Sequence, residues 1–453
     1  MKTKRRFKLS IWRILALGYL VTMVLGSVLL ILPFATKPGE TTYYIDALFT
    51  AASATFITGL APYDTATHWT LFGQLVMLFL IQLGGLGFMT IVSIIFVMFK
   101  QGMGLHERRV MMMDAGGGSN ALGVKKLVLR LVVGSLIIEA VGALLLCIRF
   151  IPQFGALKGI YYSIWHSVSS FCNAGFDLMG TAEAPFVSLT GYATDPLVSL
   201  TVCLLIILGG LGFCVWGDVI DCKFNLKKAQ LNTKVILIVN AILLLGGTAL
   251  YLIFERDNPA YDGYNFGQKL LASFFNSTTA RTAGLSTTPL ESMSDSGYML
   301  TLLLMFIGGS SGSTAGGLKV GTFAVITMGL LGVFRGRRDI NIGKRRIEYS
   351  LVSRSLAILT ACLMTIIVST MLICAVEPRE VVNFHDALFQ SVSALSTTGL
   401  GICDIASQCW FSKLILIILM FAGRVGILTF ARALGEKRTA AEIRRPVENI
   451  LIG

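Results

Sequence analysis

Charged and metal-ligating residues are scarce in this sequence of 453 residues. Asp, Glu, Lys and Arg make up 14% of the chain, and there are only four histidines. The histidines never cluster, and the nine cysteines show no paired metal spacing, so neither set predicts a metal site. The sequence also lacks the clustered nucleophiles, bases or ligands that an enzyme needs inside a membrane. Cys403 and Cys409 share one predicted outer loop, and the sequence does not decide whether they form a disulfide.

Two familiar motifs are also missing. The glycine-rich segment 307–321 lacks the spacing of a phosphate-binding loop and follows no strand. The N-terminal stretch MKTKRRFK leads into an apolar run that is too long for a signal peptide core and has no small-residue cleavage site. We therefore expect the first apolar run to remain in the protein as a membrane span.

Hydrophobic residues make up 54% of the chain, and many of them lie in long runs. A helix of about 20 apolar residues crosses a hydrocarbon core. Eight runs are of about that length, which predicts a multi-pass, all-α membrane protein. They are 11–34, 71–99, 127–150, 196–216, 235–254, 298–328, 356–374 and 411–433.

The formal net charge of +13 is distributed unevenly along the chain. Lys and Arg concentrate before the first span and after the second, fourth, sixth and eighth spans, whereas the intervening loops mix scattered bases with acids. The positive-inside rule then places both termini in the cytoplasm. Because topology already accounts for the basic residues, we expect no nucleic acid partner.

A fifteen-residue stretch recurs near the two ends of the chain. DALFTAASATFITGL begins at Asp46, and DALFQSVSALSTTGL begins at Asp386. Two intermediate copies fit when all four are aligned on one glycine. The position ten residues before that glycine is always aromatic, and the position six residues before it always carries a hydroxyl group. The aligned glycines are Gly59, Gly175, Gly284 and Gly399.

The four copies predict four tandem units, 1–105, 106–228, 229–347 and 348–453. Each unit would contain a span, a short pore helix and a second span, which gives eight transmembrane helices and four re-entrant helices. Two crossings per unit leave all four units in the same orientation, so they can surround a pseudo-fourfold central pore. A helix of about twelve residues is roughly 18 Å long, so each short helix must enter the membrane and turn back.

The turns after the short helices predict an ion filter. They contain no carboxylate or imidazole, so backbone carbonyls are the available ligands. Rings of carbonyl oxygens can replace the hydration shell of a large monovalent cation, and glycine permits the backbone angles that this requires. The candidate filter residues are Ile57, Thr58, Gly59, Asn173, Ala174, Gly175, Thr282, Ala283, Gly284, Thr397, Thr398 and Gly399.

The second spans of the first three units carry a glycine pair, which usually indicates close helix contact. The third unit is different, because six glycines and four Ser or Thr residues between Gly308 and Gly321 should break the helix. Arg424 replaces the second glycine of the pair in the fourth unit. An arginine within a span is costly and tends to face a polar interior, so we expect it to contact the broken segment and to oppose cation passage.

With these features the sequence resembles the Trk/Ktr/HKT superfamily of potassium transporters over nearly its whole length. Because the chain starts directly at the first repeat, it looks most like the Ktr membrane subunit (KtrB type). In sodium-conducting plant relatives serine replaces the first filter glycine, so Gly59 implies a preference for K+. The resemblance also implies that an intramembrane gate is formed by Gly308, Gly309, Ser310, Ser311, Gly312, Ser313, Thr314, Ala315, Gly316, Gly317 and Arg424.

The function expected from the resemblance is potassium uptake across the cytoplasmic membrane of a prokaryote. It implies a homodimer with a cytoplasmic ring of nucleotide-binding (RCK/KTN-type) regulatory subunits, and we place contact with that ring in segment 106–126. K+ is the expected cargo, Na+ permeation or coupling is left open, and no organic cofactor is expected. The alternative is a secondary carrier of another substrate or a sodium-permeable cation transporter.

Three further polar residues have predicted roles outside the filter and the gate. Glu139 and Asn240 lie within predicted spans, where we expect them to bond between helices. Asp177 follows Gly175 closely, and it is either an acid that draws cations to the outer mouth or an ordinary loop residue.

Overall fold

The computed structural model describes residues 11–87, 124–336, 340–342, 345–427 and 430. Both chain termini, the second half of the second predicted span, and residues 106–123 of the predicted regulatory contact lie outside the described residues. The described chain is helical apart from a two-stranded antiparallel hairpin, in which Ile340 pairs with Ile347.

Along the described chain the helices and strands are α1 (Ile11–Leu30), α2 (Tyr44–Thr55), α3 (Thr65–His68), α4 (Leu71–Leu86), α5 (Val124–Phe154), α6 (Ala156–Cys172), a 3-10 turn (Thr190–Tyr192), α7 (Pro196–Gly210), α8 (Phe213–Asp221), α9 (Leu231–Phe254), a 3-10 turn (Pro259–Tyr261), α10 (Phe266–Thr279), a 3-10 turn (Leu290–Ser292), α11 (Asp295–Phe306), α12 (Val320–Phe334), β1 (Ile340–Ile342), β2 (Arg345–Ile347), α13 (Tyr349–Val376), α14 (Phe384–Ser396) and α15 (Trp410–Val425).

Four of the described helices, α1, α5, α9 and α13, are long and apolar enough to cross a membrane. Their outer faces expose large aliphatic side chains, such as Leu25 (61% exposed) and Leu144 (68% exposed). Hydroxyl groups, in contrast, are buried at the centre of the molecule, for example at Ser53 and Ser393. Apolar residues outside and small polar residues inside are the arrangement expected of a chain whose surroundings are lipid.

The four short helices, α2, α6, α10 and α14, have buried C-terminal halves and lie between the long ones. Asn265 and Asn383 begin α10 and α14 with complete capping boxes. Asp46 and Asp386 lie in the first turns of α2 and α14, where a carboxylate stabilises the positive end of the helix dipole. Each short helix ends a few residues before one of the aligned glycines.

The second spans are interrupted more often than the sequence indicated. The predicted break in the third unit is confirmed, since α11 ends at Phe306 and α12 begins at Val320. The interpretation of the other glycine pairs as packing contacts alone is incomplete. The fourth predicted span divides into α7 and α8, which meet at an angle of 92°. Helices α4 and α15 likewise end just before Gly87 and Gly426, where φ is +83° and +89°.

In the first, second and fourth units the first glycine of this motif makes the close helix contact that the sequence predicts. A Cβ atom at Gly84 would meet the carbonyl oxygen of Thr55, and one at Gly209 would meet that of Phe171. Gly423 stands in the same relation to Leu395. In three units, therefore, the second span lies directly against the last turn of the short helix, and any larger side chain would push the two apart.

Candidate functional site: four turns around one axis

The four turns share one backbone conformation. Two residues before each aligned glycine the chain adopts a left-handed φ, at Ile57 (+54°), Asn173 (+56°), Thr282 (+75°) and Thr397 (+52°). The glycines themselves have φ between +75° and +93°. Positive φ is rare for a non-glycine residue. Its recurrence in all four turns therefore indicates a conformation that the surrounding structure imposes.

The four glycines lie next to one another in a closed ring. A Cβ atom at Gly59 would lie 2.7 Å from the carbonyl oxygen of Ala174, and one at Gly175 would lie 3.0 Å from that of Ala283. Gly284 faces the carbonyl oxygen of Thr398 in the same way, and Gly399 faces that of Thr58, which closes the circle. The structure thus brings the four candidate filter glycines, and the residue before each of them, together around one axis.

Groups behind the turns hold the backbone in place. Ser53 Oγ accepts a hydrogen bond from the amide of Gly59 at 3.0 Å, and Ser393 Oγ accepts one from the amide of Gly399 at the same distance. In the second turn Ser169 Oγ and Trp165 Nε1 both donate to the carbonyl of Phe176. In three turns the recurring hydroxyl group therefore supports the backbone from behind, and in the second turn the recurring aromatic residue does so as well.

The carbonyl groups of the turns are free of internal partners. Within the described part of the chain, no hydrogen bond is donated to the backbone oxygens of the twelve candidate filter residues. Buried carbonyls are almost always paired. The unpaired carbonyls of these turns are therefore available to a ligand that attracts oxygen lone pairs.

A vestibule of about 600 Å³ opens on one side of the ring and is lined by all four glycines. The chain segment after each glycine contributes one carboxylate to its wall. Asp64 accepts hydrogen bonds from three backbone amides, of Ala66, Thr67 and Phe186. Burial raises the pKa of Asp177 to about 7, so the vestibule becomes more negative as the pH rises through neutrality. The four acids are Asp64, Asp177, Glu291 and Asp404.

The loop between α11 and α12, residues 307–319, lies beneath the ring and is called the inner loop below. Its two ends are joined, since Leu318 N donates to Phe306 O at 3.2 Å and Val320 N donates to Gly309 O at 3.0 Å. A Cβ atom at Gly316 would lie 2.7 Å from the carbonyl oxygen of Ser396, which directly precedes a filter residue. The loop is therefore in contact with the inner side of the fourth turn.

Backbone groups freed by the two broken helices satisfy one another. Ser310 N donates to Gly210 O at 3.0 Å, and Phe213 N donates to Gly312 O at 2.9 Å. The loop after α11 and the bend between α7 and α8 thus form one hydrogen-bonded unit. This pairing explains how non-helical backbone is tolerated inside the membrane region.

The side chain of Arg424 bridges the loop and the first unit. One guanidinium nitrogen donates to the carbonyl of Thr314 in the loop, and the other donates to the carbonyl of Gly84 in α4. The structure therefore places Arg424 beside the loop that the sequence proposed as its partner. Glu139 and Asn240 also make the predicted interhelical bonds, with Gln82 in α4 and with Arg281 at the end of α10.

Cys403 and Cys409 are not bonded to each other. Both are free thiols. The Cys409 sulfur accepts a hydrogen bond from the amide of Ser412 in the first turn of α15, and Gln390 Nε2 lies 2.7 Å from the Cys403 sulfur. Each cysteine thus acts as a local hydrogen-bonding group in this loop.

Sequence reasoning missed a buried ion pair between the first and last units. Lys413 Nζ lies 2.6 Å from Asp46 Oδ1, and the two side chains are 5% and 3% exposed. Tyr63 donates to the other carboxylate oxygen at 2.9 Å. Burial and the nearby Asp46 carboxylate raise the pKa of Tyr63, which keeps the phenol protonated as a donor. Only the presence of a lysine within an apolar run signalled this pair.

Loss of one partner of this pair should be strongly destabilising. Because Lys413→Met leaves the Asp46 carboxylate buried and uncompensated, we expect a cost of about 3–5 kcal/mol. The apparent melting temperature of the detergent-solubilised protein should fall accordingly. Asp46→Asn in the same chain should restore part of it.

The exposed pair Arg149–Asp195, at 2.8 Å, provides the control. Arg149→Met should cost about 0–1 kcal/mol, because surface ion pairs contribute little. An equal loss of stability in both variants would show that the buried pair contributes no more to stability than the exposed pair does.

Known proteins match this chain over nearly its whole length. A family model described as TrkH, cation transport protein, matches residues 21–435. Potassium/sodium uptake protein NtpJ of Enterococcus hirae is 38% identical, covering 100% of this chain and 99% of its own. Ktr system potassium uptake protein B of Bacillus subtilis is also 38% identical, covering 97% of this chain and 96% of its own.

The fold has a counterpart among solved structures. The crystal structure of the potassium transporter TrkH from Vibrio parahaemolyticus matches with a TM-score of 0.72, over 96% of this chain and 87% of that one. The sequence identity of 20% limits this likeness to the fold. The sequence relatives and the apolar helices identify a multi-pass, all-α membrane protein that is a transporter and not an enzyme. The chain belongs to the TrkH family of cation transport proteins.

Proposed function

We propose that this chain is the ion-translocating subunit of a Ktr-type potassium uptake system. K+ would shed its water and bind the carbonyl oxygens of the four turns. The observation that carries this proposal is the ring of carbonyls without internal donors. Oxygen dipoles without fixed negative charge favour a monovalent cation of low hydration energy over a divalent one.

The organisation of the ring supports a four-unit pore. The contacts among the four glycines run in chain order, from the first unit to the fourth and back to the first. We infer four tandem units with one re-entrant helix each, eight crossings and cytoplasmic termini. The C-terminal ends of the short helices, which carry the negative end of the dipole, would face the cavity below the ring and stabilise a cation there.

The inner loop and Arg424 would form the gate. The loop contacts the end of α14 directly beneath the fourth turn, and a positive charge beside it raises the energy of a cation passing inward. In this arrangement the gate is closed, because Arg424 ties the loop to α4. Flux would require those bonds to break.

Further subunits are proposed from the relatives and the resemblance. The Bacillus subtilis relative is protein B of a Ktr system, so we propose that this chain also works with partner subunits. A homodimer on a nucleotide-binding ring is the arrangement that the resemblance implies. The Enterococcus hirae relative is a potassium/sodium uptake protein, which makes sodium permeation or coupling the second candidate property.

Uptake by cells that lack their own potassium uptake systems tests the function. We expect the wild-type chain to restore growth at limiting K+ and to take up rubidium, because rubidium is a close analogue of K+ in size and charge. Assays with and without Na+ distinguish passive flux from sodium coupling. Failure to restore growth, with the protein present in the membrane and partner subunits supplied, would overturn the proposal.

A further inference from the structure

Arg281 has no role in the site described so far, although it directly precedes the filter residue Thr282. It lies just beyond the end of α10, where the other three units carry Phe56, Cys172 and Ser396. Its side chain is directed toward the inner loop. Nη2 donates to the carbonyl of Gly308 at 3.2 Å and to Asn240 Oδ1 at 2.5 Å.

Asn240 extends this contact further into the loop. Its amide nitrogen donates to Ile236 O within α9 at 2.7 Å and lies 3.4 Å from Ser310 Oγ. Arg281 and Asn240 therefore reach two loop positions, Gly308 and Ser310, from two different helices. Arg424 holds the same loop farther along, at Thr314.

The charge of Arg281 is held by neutral oxygens. Among the described residues no carboxylate lies within ion-pair distance of it, and its Nε atom is buried without a hydrogen-bond partner. A guanidinium at membrane depth is costly to leave unsatisfied. Movement of the loop would remove the Gly308 carbonyl, one of its two acceptors, so the guanidinium favours the observed position of the loop.

Arg281 is also tied to the filter by its place in the chain. Thr282, the next residue, has a left-handed backbone and accepts a hydrogen bond at 3.3 Å on its hydroxyl group from Asn173 Nδ2 of the second turn. A shift of the Arg281 backbone would therefore be transmitted to two turns of the ring.

We propose that Arg281 is a positioning residue that holds the start of the inner loop in place through Gly308 and Asn240. We call this contact the latch, and it couples the loop to the third filter turn. This inference rests on the proposed function, since it requires the inner loop to be a gate. It adds a second fixed point to the one provided by Arg424. Each arginine would stabilise the closed position of the loop, so the loss of either one should raise the fraction of time that the gate is open.

Rubidium uptake without partner subunits tests the latch. We expect Arg281→Gln and Asn240→Leu each to raise basal uptake about fivefold or more, the lower range of ordinary coupling between sites. Arg281→Lys keeps the charge and one donor, so it should lie between wild type and Arg281→Gln. Arg256→Gln, at an arginine exposed in an outer loop, should leave basal uptake unchanged.

The same substitutions in a chain lacking residues 312–316 separate the latch from a direct effect on the filter. There Arg281→Gln should change uptake little, because the deletion removes the part of the loop that would close the pathway, and holding Gly308 in place then no longer limits uptake. An equal change in both chains would overturn the latch. So would unchanged uptake in the full chain while the deletion alone raises it. A deletion without effect would refute the gate itself, and the latch with it.

Labelling of the loop gives a readout independent of transport. Ser311 is exposed on the loop, and Ser311→Cys in inside-out vesicles can be labelled with a membrane-impermeant thiol reagent. The same chain without the added cysteine gives the background. We expect Arg281→Gln and Asn240→Leu to accelerate labelling several-fold. If Arg281→Gln does not reach the membrane, Asn240→Leu alone decides the outcome, and an unchanged labelling rate contradicts the latch.

Discussion

Gly59→Ser should reduce the preference for K+ over Na+ by about tenfold, a change of about 1.4 kcal/mol. The backbone at Gly59 has φ of +93°, a conformation that costs a residue with a side chain about 1–3 kcal/mol. Its Cβ atom would also meet the Ala174 carbonyl oxygen at 2.7 Å and the Gly175 Cα atom at 2.9 Å. The ring must widen or twist, and its oxygens then fit K+ less well.

Competition between rubidium and Na+ for uptake, in cells dependent on this chain, measures that change. Gly39→Ser is the matched control. Gly39 has a similar φ of +91°, but a Cβ atom there would meet nothing within 4 Å. Both substitutions strain the backbone, yet only one disturbs the ring. Unaltered discrimination in Gly59→Ser, or an equal loss in Gly39→Ser, would remove the filter assignment.

Arg424→Ala should raise uptake about tenfold or more when no partner subunit is present. The substitution removes both the donors that tie Thr314 to Gly84 and the charge that opposes a cation at this point. At an effective dielectric constant of about 20, a unit charge at 4 Å contributes about 4 kcal/mol, so even a fraction of that energy gives a tenfold effect. Deletion of residues 312–316 should act in the same direction.

Arg424→Lys separates charge from geometry. Lysine keeps the positive charge but cannot bridge two carbonyl groups with a planar fork, so we expect a leak between those of wild type and Arg424→Ala. Arg424→Ala combined with the deletion should add little to either change alone, since both act on one loop. A variant whose uptake is unchanged or slower would contradict the gate.

The glycine pairs of the second spans show what the sequence predicts about these helices and what it does not. The glycine pairs at Gly84 and Gly209 correctly predict close contacts. They do not predict the bend that follows them, because a glycine is equally compatible with a continuous helix. The decision depends on partners for the freed backbone groups, and Phe213 N finds its partner at Gly312, far away in the sequence.

The buried roles of charged residues are predicted unevenly for a similar reason. Arg424 stands out because it replaces a glycine that the other copies keep. Lys413 and Arg281 do not replace a residue that the other copies share. Their partners are also distant in the chain: Asp46 is 367 residues from Lys413, and Asn240 is 41 residues from Arg281. Burial and pairing of these side chains follow from the assembly of the helices, which a local pattern does not contain.

The sequence by itself determined the membrane class, the four-copy pattern and the positions of the turns, because apolar run length and repeated residues are local properties. Tertiary structure decided what the repeats do together: the glycines form one ring, the first copy pairs with the last, and the carbonyls are left without donors. These outcomes arise only when the four turns meet, since each turn finds its neighbours in the copies on either side.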